Sequence, residues 1–175
     1  MNLNNWSVVF SFCAIATILS VIYGWSVKQG KLPFNSVMAF NDAQRQFIKV
    51  WASIALLVGV IIPLVMLVVF WHKPVERSFF SYYLVVVAVQ LASEIGFSRI
   101  YVKSVVVIIG TLYTGFRLWQ LWLGLHSYTY PQPWLGLLWL VWFFWVANII
   151  MLTFMAIPSI FPKSNGYNLG SGESD

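Results

Sequence analysis

The sequence predicts an all-α integral membrane protein, a bundle of five transmembrane helices with the N-terminus outside and the C-terminus cytoplasmic. A four-span arrangement is the alternative. Three observations predict this. Of the 175 residues 60% are hydrophobic and only 9% charged, where a soluble domain carries about 25% charged residues. Apolar runs recur at about 6–25, 50–71, 78–97, 105–125 and 134–161, each long enough for a hydrocarbon core of about 30 Å at 1.5 Å per residue. The basic residues fall unevenly between the two sides that five spans define: Lys28, Lys31, Arg45, Lys49, Arg99, Lys103 and Lys163 on one, Lys73 and Arg77 on the other. Residues 1–163 therefore form a single transmembrane domain. The polar stretch 164–175, rich in Gly and Ser, reads as a disordered tail.

The first run lacks a basic leader and a clear small-residue cleavage site, so it is read as a permanent helix. Ala16, Ser20 and Gly24 recur along one face of it, suited to close contact with a neighbour. Its single cysteine, Cys13, reads as a small packing residue. Residues 26–41 form the longest connection, broken by Gly30 and Pro33, with Phe34, Val37, Met38 and Phe40 able to lie in the membrane interface. Asn41 and Gln44 have capping-box spacing, so the second helix is expected to start near Asp42, ahead of its apolar run. Pro63 removes a backbone donor in mid-helix and predicts a kink.

The third and fourth runs form a hairpin joined by a short basic turn containing Arg99 and Lys103. Ala88, Ala92 and Gly96 share one stripe of the third helix; Gly110 and Thr114 share one on the fourth. Folding the hairpin about residue 101 sets Ala92 opposite Gly110 and Ala88 opposite Thr114, which makes these five the expected helix-packing residues. The last run exceeds one bilayer crossing, so it is expected to tilt, protrude or bend near Pro158.

Candidate ligand-binding residues are the polar groups buried in apolar runs and the deep tryptophans. Arg117 reads either as a cation facing a ligand or partner, or as a side chain snorkelling to the outer surface beside Gln120 and Tyr82 or Tyr83. Glu94 reads as interfacial, within reach of Arg99, with Gln90 one turn deeper on the same face. The same fold about residue 101 leaves Glu94 about 13 Å along the axis from Arg117, too far for a simple pair. Trp139, Trp142 and Trp145 are spaced by three and could wall a slot for a flat or polyprenyl molecule, or serve as packing or lipid-facing surface. Asn148 reads as a hydrogen-bonding amide between helices, or as a cofactor or substrate contact.

No catalytic residue is singled out: phosphate-binding, hydrolase-elbow, zincin and CxxC motifs are all missing. His72 and His126 lie outside the spans, which argues against haem between helices, and no metal site or other cofactor is expected. Basic residues scattered over loops and helix ends do not form a nucleic-acid surface. The expected partners are the lipid bilayer, another membrane protein or a second copy, and a lipid-like ligand. The leading functional expectation is a non-catalytic accessory or scaffold subunit of a membrane complex. The alternatives are a binder or carrier of a lipid, isoprenoid, quinone or pigment using the tryptophan slot and Arg117, and an intramembrane enzyme or transporter centred on Glu94 and Arg117.

Overall fold

The computed structural model describes residues 6–162, and the tail 164–175 lies outside them. Five helices long and apolar enough to cross a membrane follow one another: α1 (Trp6–Lys28), α2 (Asp42–Val69), α3 (Pro74–Ile100), α4 (Val105–Ser127) and α5 (Trp134–Ile160). There is no strand among the described residues. The run 78–97, which the four-span alternative would lay in the interface, belongs to one of these five long apolar helices. That run is the body of α3, which packs against α1, α2 and α4 and does not lie apart from the bundle. Charged residues at its start do not end the helix, because Pro74 is pre-set for the first turn and carries α3 back beyond the apolar run.

The small-residue face of α1 is buried: Ala16, Ser20 and Gly24 turn inward with Val9 and Cys13 toward α3 and α4. At Gly24 a side chain would come within 2.8 Å of the Tyr101 Cβ, so that close approach requires glycine.

The connection after α1 folds back onto the bundle and leaves Val37 exposed. Phe34, Met38 and Phe40 pack against the core, and the backbone ties the loop to other helix ends. Asn35 and Ala39 donate to the carbonyls of Ile160 and Ser159 at 2.7 and 3.1 Å, and the Ser104 amide donates to Ser36 at 3.2 Å.

The capping box forms as the sequence predicts: the Gln44 amide donates to the Asn41 side chain at 2.8 Å and the Asn41 amide to the Gln44 side chain at 3.0 Å. Asn41→Ala should therefore cost about 1 kcal/mol. A fall in the thermal unfolding midpoint of the detergent-solubilised protein, absent in Ser11→Ala on the exposed face of α1, is the check.

The proline in α2 acts through a wider turn rather than a simple kink. Residues Leu57–Ile61 form a π-helical turn, with the Ile62 amide donating to Leu57 five residues back, and Pro63 follows two residues after it. α5 repeats the device: Leu152–Ala156 is π-helical, the Ile157 amide donates to Leu152, and Pro158 follows. The widened turn makes room for a ring that cannot donate and would clash with the preceding turn.

That turn divides α2 into two halves with different surroundings. The later half buries Pro63 and Met66 against α3 and α5. The earlier half, Asp42–Leu56, has no buried residue and leans away from the bundle. The gap beneath it holds the site.

Candidate functional site

Three helices share one spacing beside this gap, and Tyr83, Thr114, Leu121 and Val141 stand behind the residues that line it. Tyr83, Val87, Gln90 and Glu94 on α3, Gly110, Thr114, Arg117 and Leu121 on α4, and Val141, Trp145, Asn148 and Leu152 on α5 each run in steps of four, three and four residues. Such steps keep one face in register over three turns. All twelve are buried except Glu94, which is partly exposed.

Between these faces and Asp42–Leu56 lies a cavity of about 310 Å³. Its walls are mostly apolar, with Ile48, Val60, Leu91 and Met151 among them; Arg117, Gln90, Glu94 and Asn148 are the polar exceptions.

Two hydrogen-bonded chains brace it. In the first, Arg117 donates through its Nη2 to the Gln90 Oε1, and the Gln90 Nε2 donates to Glu94. The guanidinium lies over the Trp145 ring, 4.2 Å from its centroid. Trp145 donates to the Tyr83 hydroxyl at 2.8 Å, and that hydroxyl donates to the Gly59 carbonyl at 2.9 Å. Gly59 lies four residues before Pro63, so its carbonyl is the one that an α-helix would have paired with the missing proline N–H. The second chain runs from Trp51 on α2, whose Nε1 donates to the Asn148 Oδ1 at 2.7 Å, to Thr114 on α4, which accepts from the Asn148 Nδ2 at 2.9 Å.

The structure relocates several residues singled out by sequence. Arg117 is 2% exposed and does not snorkel outward; it turns into the bundle. It is coupled to Glu94 after all, through Gln90, because the axial gap that rules out direct contact is filled by an amide side chain. Glu94 forms no ion pair with Arg99; among the described residues the ion pair present is Lys73 with Glu76 at 3.8 Å. The tryptophan slot divides. Trp145 faces the cavity, whereas Trp139 and Trp142 pack on each other, ring centroids 5.7 Å apart, and Trp142 reaches Trp122 at the same distance. Gln120 is buried outside the cavity, its Oε1 unpartnered among the described residues.

The pairing of Ala88 and Ala92 with Thr114 and Gly110 does not form. Ala88 and Ala92 are exposed, and a side chain at Gly96 would meet nothing within 4 Å. Gly110 instead faces Leu152 of α5, and Thr114 serves Asn148. α3 approaches α4 through the rotated face that carries Tyr83, Val87 and Gln90, since that face holds the polar groups which must be satisfied inside.

Trp51 and Gly59 are site residues that the sequence reading missed, and Tyr83, named there only as an outer neighbour of a snorkelling Arg117, is a third. A search for polar residues sharing one spacing on three successive helices would have found Tyr83; Trp51 has no such signal, since it lies on a helix face with no buried neighbours. No group of three or more His, Cys, Asp or Glu side chains among the described residues could hold a metal ion. Comparison with protein families, curated proteins and solved structures finds no match.

Proposed function

We propose that this chain is a multi-pass membrane protein, N-terminus outside and C-terminus cytoplasmic, that binds a lipid-like amphiphile in the cleft beside Asp42–Leu56. One observation carries the reading: an arginine 2% exposed borders a cavity of about 310 Å³ whose other walls are mainly apolar. A buried guanidinium is costly in hydrocarbon and normally marks a pathway or a ligand contact. The opening beneath a half-helix with no buried residue suits entry from the lipid side. Large apolar side chains exposed around the bundle, Phe10, Val68, Phe143 and Phe154 among them, support immersion in a bilayer. The cavity suits a head group and the first part of a chain, and the cleft lets the remainder lie among the lipids.

The test is lipid extraction and mass spectrometry of the full-length protein purified in mild detergent. Ala55→Phe narrows the cavity and is expected to reduce the co-purifying species about fivefold or more, consistent with the cost of overpacking a filled site. Ala14→Phe, on an exposed face of α1, serves as control. An unchanged lipid profile in Ala55→Phe counts against the reading.

A second reading, an accessory subunit of a membrane complex, is favoured by the outward stripe of Ala88, Ala92 and Gly96, which no helix among the described residues covers. Gly96→Trp is expected to remove a higher-mass band from blue-native gels while leaving the monomer folded. Loss of no band, or absence of one in the parent protein, removes this reading.

A further inference from the structure

We infer that the molecule bound in the cleft is an acidic amphiphile, an apolar chain ending in a single carboxylate or phosphate that is held by Arg117. This rests on the reading of the cleft as an amphiphile site and adds the chemistry of the head group.

The hydrogen-bond inventory of the cavity selects an oxyanion. Trp51 is committed to Asn148, Asn148 to Thr114, Trp145 to Tyr83 and the Gln90 amide nitrogen to Glu94. The Gln90 Nε2 and Asn148 Nδ2 each keep a second N–H, and most of the donor capacity left over belongs to Arg117. Of its five N–H groups, one is given to Gln90, and its Nε has no partner among the described residues. Trp145 covers one face of the guanidinium and its Nε is enclosed, which leaves the Nη end as the place where a ligand can bind. A planar fork of donors matches the paired oxygens of a carboxylate or phosphate.

The charges agree with the donors. No carboxylate lies within ion-pair distance of Arg117 among the described residues, because Gln90 stands between it and Glu94. A neutral carbonyl would accept from the same edge but leave the cation uncompensated in an apolar cavity. Arg45 and Lys49 lie on the half-helix that borders the opening, Lys49 next to the lining residue Ile48, and both are exposed. They would gather acidic heads at that end of the bundle. Glu94 is the opposing group: its charge disfavours an anion at Arg117, so its removal should strengthen binding.

The experiment measures binding of four labelled probes to the full-length protein in nanodiscs of neutral lipid: palmitate against its methyl ester, and phosphatidic acid against diacylglycerol. Inorganic phosphate is the control for a free anion. At least one acidic probe is expected to bind about tenfold or more tighter than its neutral counterpart, the range for a hydrogen bond to a charged group. Arg117→Gln should abolish that preference, whereas Glu94→Gln should tighten the acidic probe about threefold or more. Which acidic probe wins identifies the source of the oxyanion. Equal binding of acidic and neutral probes overturns the inference and leaves the amphiphile site standing, as does weaker acidic binding in Glu94→Gln. Binding of no amphiphile overturns both. Inorganic phosphate displacing the acidic probe at comparable concentration overturns the requirement for a chain. Should Arg117→Gln not fold, the sign of the Glu94→Gln effect still decides.

Discussion

Replacing Gln90 by leucine is expected to destabilise the protein more than replacing Arg117 by methionine. Gln90 is the hydrogen-bonding partner of a buried guanidinium and relays it to Glu94. Leucine leaves a donor of the buried guanidinium unpaired and cuts its link to Glu94, which costs about 3 kcal/mol. Methionine at position 117 removes the charge together with its need for a partner and keeps much of the volume. The net change is then about 1 kcal/mol in either direction. The double variant should recover most of the stability lost in Gln90→Leu. Thermal unfolding of the four proteins in one detergent measures the cycle. Equal losses in the two single variants would show that Arg117 does not depend on Gln90.

Gly59→Ala should produce the second large loss. A methyl built there would collide with the Trp145 Cζ2, an atom of a rigid ring that is itself buried. Moving the indole strains its bond to Tyr83, the Tyr83 bond to the Gly59 carbonyl and its stacking on Arg117. Overpacking of this kind costs about 2–3 kcal/mol. Trp145→Phe shortens the ring, so Gly59→Ala made in that background should cost less than half as much. Additive losses would mean that the contact is relieved elsewhere.

The helices were legible in the sequence, and their facing was not. Length and apolarity gave five long apolar helices, and the spacing of Asn41 and Gln44 gave the start of α2, because both depend on order along the chain alone. Counting residues from the turn also placed Ala92 level with Gly110. Level is not orientation: successive residues turn by about 100°, and a hairpin can meet on any pair of faces. The small stripe Ala88, Ala92, Gly96 competed with a polar stripe through Tyr83, Gln90 and Glu94, and the polar stripe took the interior. The separation of about 13 Å between Glu94 and Arg117 was a backbone distance. Two extended side chains and an intervening amide bridge it, which axial counting does not register. Gln90 was singled out for its face, but its role as the link required knowing what lay opposite.

The lean of α2 has a mechanical meaning. Among the described residues, one indole joins its first half to the rest of the bundle by a hydrogen bond, Trp51 to Asn148, with a stacked contact from the same ring to Phe144 at 5.0 Å. A lever with a widened turn for its pivot and a single catch near its free arm has few positions in which it is at rest. Whatever pushes on that arm sets the aperture below it.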